Sequence, residues 1–229
     1  MSDYPSLPRT LSAAELRVLG TLIEKSLTTP EQYPLSLNAT KVGCNQKTSR
    51  EPVVNFDERT AGMALRDLID LKLAKEVFPP DRGAVKYEHR LGACLDLRAP
   101  AVTVLATLML RGAQTTGELR QNGHRLHAFE TLGHLEDVLD RLSERGLALK
   151  LERAPGQREE RYVHLLGEKD AALKQAAATS GREFAPERTA VERTSAAVTS
   201  SADISALYAE IAELKQRLES LEARFEAWQ

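Results

Sequence analysis

Cysteine is nearly absent. Cys44 and Cys94 are the only two in 229 residues and form no CxxC pair, which argues against a disulfide scaffold and a cysteine-based zinc site. Aromatic residues make up only 5%, so nothing suggests an all-β sandwich or an aromatic-rich barrel. Neither sign of charge dominates: 31 basic side chains face 33 acidic ones, a formal net charge of −2. That excludes a strongly basic nucleic-acid binder as a description of the whole chain and leaves a local basic face open. No apolar run approaches the ~18 residues that a membrane helix needs, and Met1-Ser2-Asp3-Tyr4-Pro5 lacks the basic-then-apolar pattern of a leader. The expectation is a cytoplasmic protein with reduced thiols.

What is present is helical periodicity with clear stop and start signals. Ser12-Ala13-Ala14-Glu15 reads as a capping box, with Leu11 and Leu16 placed as a hydrophobic staple. Leu16, Leu19, Ile23 and Leu27 follow as an apolar stripe until Pro30 and Pro34 break it. Ser36 caps a second short helix ending near Gly43, and a polar loop runs from Asn45 to Pro52. Asp57 caps a third helix with Ala61, Ala64, Leu65, Leu68 and Leu71 facing inward. Lys75–Phe78 and Val85–Leu91 then form a β-hairpin around Pro79-Pro80-Asp81-Arg82-Gly83. Helix, helix, helix, hairpin is the order of a winged helix.

The order recurs in the second half. Ala101–Leu110 is an apolar helix. Thr115-Thr116-Gly117-Glu118 is a second capping box opening a helix that Gly123 ends. Leu132, Leu135, Val138, Leu139 and Leu142 mark a third helix closed by Gly146. Leu147–Glu152 and Arg161–Leu166 are hairpin strands around Ala154-Pro155-Gly156-Gln157. Val18–Leu22 matches Val104–Leu108, and Lys86–Leu91 matches Arg161–Leu166, at equivalent places in the two halves. The economical reading is duplication of one unit: winged-helix domains at 10–92 and 96–168.

Residues 169–202 turn to Ala, Ser and Thr with scattered charge and read as a flexible linker. In 203–229, Ile204, Leu207, Ile211, Leu214, Leu218, Leu221, Phe225 and Trp228 follow an unbroken 3-4 spacing, the heptad of a dimerising coiled coil. Glu210 would meet Lys215 of a partner helix, and Arg217 would meet Glu222, both attractive in a parallel homodimer. The alternative is a helix that packs back on its own chain. The fold class is therefore mainly α with small β-hairpin wings: two tandem winged helices and a C-terminal coiled-coil helix.

Several stretches carry a resemblance: Thr28-Thr29-Pro30-Glu31-Gln32-Tyr33-Pro34-Leu35-Ser36, Cys44 to Val53, Leu110 to Thr115 with Gly117-Glu118-Leu119-Arg120, and Arg158 to Leu165. On these the chain resembles the bacterial YceH-like proteins over about residues 10–168, with Thr116 where that pattern has proline. The resemblance implies a tandem winged-helix fold and brings no activity with it. The tail after residue 169 lies outside it.

Chemistry-bearing clusters are sparse. Around Gly43-Cys44-Asn45-Gln46-Lys47-Thr48 a phosphate loop fails, because Lys41 and Gln46 stand where its glycines belong. His124, His127 and Glu130 have a spacing that could bind metal, yet no fourth ligand is evident and a solvated polar segment is the simpler reading. Cys44 reads as a cysteine packed at a helix end, and Asn38-Ala39-Thr40 is an inert glycosylation match. No nucleophile, base and orienter cluster, so no enzyme, cofactor or metal is expected.

Local charge supports double-stranded DNA as partner. Asn38–Arg50 holds Lys41, Lys47 and Arg50 without an acid, with Asn45 and Gln46 as donors. Arg82 and Lys86 stand in the first wing, Arg120 and Arg125 near the second turn, and Arg158 and Arg161 in the second wing. Against this, both third helices carry acids: Asp57, Glu58, Asp67 and Asp70 in one, Glu136, Asp137, Asp140 and Glu144 in the other. Acidic helices are repelled from phosphate, so the alternative reading is a protein–protein adaptor without DNA binding.

The tail can be tested directly. Leu214→Asp with Leu218→Asp puts unpaired charge in the seam and is expected to convert a dimer into a folded monomer in analytical ultracentrifugation. A wild type that is monomeric at micromolar concentration would leave an intramolecular helix instead.

Overall fold

A computed structural model describes residues 5–79, 83–153, 159–169 and 173. The expected linker at 169–202, apart from residues 169 and 173, and the helix at 203–229 with all eight seam residues lie outside them.

The first helix, α1, spans Ala13–Thr28. Its capping box is formed: Ser12 Oγ accepts the Glu15 N–H at 3.3 Å, and the Glu15 carboxylate accepts the Ser12 N–H at 2.6 Å. After a single 3-10 turn at Pro30–Gln32 come a two-residue strand, β1 (Leu35–Ser36), and α2 (Leu37–Cys44), capped by Ser36. α3 (Glu58–Asp70) is capped by Asp57, and β2 (Ala74–Val77) and β3 (Lys86–His89) complete a three-stranded antiparallel sheet in the order β1-β3-β2. A short helix, α4 (Leu91–Leu95), leads to α5 (Ala99–Arg111), α6 (Thr116–Gly123), α7 (Leu132–Glu144) and a hairpin of β4 (Ala148–Leu151) with β5 (Arg161–His164). The molecule is mainly helical with small antiparallel sheets. Among the described residues, no helix is long and apolar enough to cross a membrane.

Several local features of the first half recur in the second. Ala74 pairs with His89 at the start of one hairpin, and Ala148 pairs with His164 at the start of the other. Leu35 bridges to Tyr87, and Gln114 bridges to Tyr162. α3 ends with a 2.8 Å bond from the Leu73 N–H to the Leu68 carbonyl and left-handed Lys72 (φ 61°). α7 ends with a 2.8 Å bond from Leu147 to Leu142 and left-handed Gly146 (φ 67°). This is one C-terminal closure used twice. Glycine adopts that conformation without strain and lysine does not, so only the second copy was legible as a stop signal.

Three expectations are corrected. Leu91 is not a strand residue; it opens α4, because the Arg90 N–H already bonds the Leu73 carbonyl and ends the hairpin. Leu166 lies past β5; its carbonyl accepts the Leu11 N–H at 2.8 Å, tying the start of α1 to the second half. Leu27 is 42% exposed rather than inward.

One buried cluster runs through both halves. Val18, Leu19, Leu22 and Ile23 of α1 and Leu105, Ala106 and Leu108 of α5 are wholly or almost wholly buried in it, alongside Leu65, Leu68, Leu139 and Leu142. Each such leucine contributes about 1.5–3 kcal/mol through removal of its side chain from water. α1 and α5, the two helices that match in sequence, are the shared wall.

His164 is buried at the end of β5, its Nδ1 has no hydrogen-bond partner among the described residues, and burial lowers its pKa to about 4. An unfolded histidine takes a proton near pH 6.5 and this one does not. Stability is therefore level above about pH 6.5 and falls as pH drops toward 4. Urea melts are expected to show a loss of about 2 kcal/mol from this group between pH 7 and pH 5. His164→Leu should flatten that slope; an unchanged slope would place the titration elsewhere.

Candidate nucleic-acid interface

The polar side of α1 organises the loop between α2 and α3. Glu24 and Arg50 form a two-pronged ion pair at 3.0 and 2.6 Å, and the Arg50 side chain has no solvent exposure. Arg50 also donates to the Gly43 carbonyl at 3.2 and 2.9 Å, to the Ser49 carbonyl at 3.0 Å and to Gln46 Oε1 at 3.2 Å. Burial pushes the Glu24 carboxyl up, but the hydrogen bonds and charge of Arg50, helped by Lys25, outweigh it and hold the group below the usual range. Two turns earlier on the same helix, Arg17 donates to the carbonyls of Cys44 (3.3 Å) and Pro52 (2.6 Å). Burial, then repulsion from Arg50, lowers the Arg17 pKa.

The far end of the loop is held by Asn45. Its amide donates to the Phe56 carbonyl and accepts the Phe56 N–H, both at 2.8 Å. The middle is anchored to the second half: Arg111 donates to Ser49 Oγ at 2.7 Å, and the Glu51 N–H donates to the Leu110 carbonyl at 2.8 Å. Close packing explains Gly43, since a Cβ there would meet Thr21 Cγ2 at 2.7 Å. Cys44 is buried with its thiol on Thr21 Oγ1 at 3.5 Å, and burial raises its pKa, so it is a packed cysteine and not an activated one.

These contacts sort the sequence candidates. Arg50, Asn45 and Gln46 are structural: Arg50 is buried, Asn45 is spent on Phe56, and Gln46 accepts from Lys25 (3.3 Å) and Arg50. Burial corrects Arg50 from a DNA contact to a loop support, and the half-buried Asn45 and Gln46 hold the loop with it. Lys47 is exposed on the loop they hold, Lys41 is half-buried on α2, and Lys86 is exposed on β3. In the second half Arg120 donates to the Phe129 and Glu130 carbonyls. Arg161 is half-buried, with bonds to the Ala113 carbonyl and to Glu118, each at 2.9 Å; it too supports the structure. Arg125 is exposed. Arg82 and Arg158 lie outside the described residues.

Of His124, His127 and Glu130, whose spacing alone resembles a metal site, His127 stands edge-on to Phe129 with ring centroids 4.8 Å apart. Among the described residues, no group of three His, Cys, Asp or Glu could hold a metal ion.

Two arginines escaped the sequence reading. α3 buries Ala61, Ala64, Leu65 and Leu68, so Arg59, Met63 and Arg66, at i, i+4 and i+7, share its outward face. Asp57 is absorbed as the N-cap, its side chain accepting the Thr60 N–H at 2.7 Å. Projecting the helix about its apolar stripe brings these two arginines together on one face, with the exposed Asp70, at i+11, on the same face at its C-terminal end. The matching face of α7, offset by 74 positions, carries Gly133, Asp137 and Asp140 instead.

The profile of a family described as "Protein of unknown function, DUF480" matches residues 11–157. The UPF0502 protein XAC4278 of Xanthomonas axonopodis pv. citri is 46% identical over 225 residues, covering 97% of each chain. The UPF0502 protein PSPA7_1674 of Pseudomonas paraeruginosa is 48% identical over 188 residues, covering 82% of this chain and 83% of its own. The chain belongs to this family of bacterial proteins. The resemblance to the YceH-like proteins is consistent with it. The Xanthomonas match spans nearly the whole chain, so the similarity is not confined to residues before 169.

Asn45 offers a clean test of the loop. Asn45→Asp keeps an acceptor for the Phe56 N–H but sets a carboxylate against the Phe56 carbonyl. A loss of about 1–3 kcal/mol in urea denaturation is expected. An unaffected midpoint would mean the clamp contributes nothing.

Proposed function

We propose that the protein is a cytoplasmic, non-enzymatic DNA-binding protein of two tandem winged helices. It dimerises through its C-terminal helix and acts as a transcriptional regulator. The observation that carries this reading is the outward face of α3, where Arg59 and Arg66 flank Met63, with exposed Lys47 on the α2–α3 loop and exposed Lys86 on the β2–β3 hairpin. A helix face of this kind suits a groove, with its cations on the phosphates. Between α2 and α3 stand residues 45–57, longer than the three or four residues of a common helix-turn-helix joint. The Arg50 and Asn45 contacts supply the rigidity that shortness would otherwise provide.

The second half does not share this chemistry. The outward face of α7 is acidic, and Glu136 and Asp140 line a hollow with Glu159 and Glu160 against only Lys150 and Arg153. That favours a second reading for this half, an adaptor surface that meets protein and not phosphate.

The test is salt-dependent gel shift on a pool of genomic duplexes. Lys47→Ala, Arg59→Ala and Arg66→Ala are each expected to weaken binding and to reduce the salt slope by about 0.9 per lost phosphate contact. An Asp140→Asn variant should leave both unchanged. Absence of any shift at about 50 mM salt, where phosphate contacts are strong, would overturn DNA binding and leave the adaptor reading for the whole chain.

A further inference from the structure

We propose that the hollow between the α4–α5 junction and α7 binds a small organic anion, an apolar body carrying one carboxylate. The hollow has a volume of about 500 Å³, within the range of small-ligand sites. Leu97 from the junction, Ala101 from α5 and Val138 and Leu142 from α7 line it. Val138 and Leu142 are almost fully buried, so the lining is continuous with the core. Two exposed arginines from different elements stand at its edge, Arg98 just before α5 and Arg141 on α7.

A third arginine fixes the wall. Arg145 donates to the backbone carbonyls of Leu95 and Asp96, holding its guanidinium against the end of α4. The lining carboxylates are Asp96 and Glu144, so cations exceed anions by one, and His134 adds a polar ring. This balance is opposite to the acidic outward face of the same helix. An apolar lining rewards burial of a hydrocarbon body, and paired arginines recognise a carboxylate with charge-assisted hydrogen bonds. Phosphate alone would satisfy the arginines and leave the lining unused, which is why the occupant assigned here is amphipathic. Because the hollow joins the segment linking the two halves to a helix of the second, an occupied site would brace that link. The assignment does not depend on DNA binding.

Isothermal titration calorimetry on the full chain tests it, with 1-naphthoate and decanoate as probes and 1-naphthamide and inorganic phosphate as comparisons. At least one carboxylate is expected to bind below about 1 mM, as an apolar pocket of this size with charged anchors allows. The uncharged amide should bind at least about tenfold more weakly, the loss of one charge-assisted contact. Arg98→Gln and Arg141→Gln should each weaken the acid by a similar factor; both side chains are exposed, and thermal melts verify that the variants fold. Val138→Glu, which places a carboxylate in the lining, should abolish binding. Failure of both carboxylates at 1 mM, equal binding of acid and amide, unchanged affinity in both arginine variants, or phosphate binding as tightly as the acids would each overturn the proposal.

Discussion

Glu24 and Arg50 are buried together beside α1, and the order of the loop between α2 and α3 depends on that pair. Removing two charges from water costs several kcal/mol for each ion, and such a pair persists only where geometry and additional hydrogen bonds offset the cost. Here the offset is visible. The guanidinium meets both carboxylate oxygens, the Gly43 and Ser49 carbonyls and Gln46. A loop of thirteen residues, 45–57, with no regular structure of its own, is thereby fixed at its beginning. Asn45 fixes its end through Phe56, and Arg111 and Leu110 tie its middle to α5. Loss of one partner would strand the other charge in a dry site, so the pair specifies this loop conformation more than it adds net stability.

The same framework occurs twice with different surfaces. Similar hairpin pairings, bridges at Tyr87 and Tyr162 and left-handed closures at Lys72 and Gly146 occur in both halves. The outward positions differ. Arg66 corresponds to Asp140 and Met63 to Asp137, so the first half carries two arginines and Asp70 on this face, where the second carries Gly133, Asp137, Asp140 and Glu144. Divergence of this kind leaves the apolar stripe untouched, because strand and helix periodicity keep surface and core substitutions independent.

Much of this was legible in the residues. Ser12, Ser36, Asp57, Thr115 and Gly146 mark element ends through local chemistry that depends on few neighbours, and the helices begin and end close to them. The apolar stripes located α1, α3, α5 and α7. What was not legible depends on distant partners. β1 is two residues long and exists because Leu35 and Ser36 meet β3. α4 follows a hairpin whose end is set by a bond from Arg90 to Leu73. Arg50 and Arg161 resemble surface cations in sequence; only the fold shows Glu24 and Glu118 waiting for them. Arg59 and Arg66 were hidden for the opposite reason, being counted along the chain with Asp57, Glu58, Asp67 and Asp70, of which Asp57 is a cap and only Asp70 shares their face.

Amide hydrogen exchange in Glu24→Ala against wild type reads the role of the ion pair most directly. The amides of Glu51 and Phe56, which bond Leu110 and Asn45, should lose far more protection than those of α7 and β4, because local opening is released before global unfolding. A uniform loss across the chain, or none at the loop, would contradict the claim that Glu24 and Arg50 hold this surface in place.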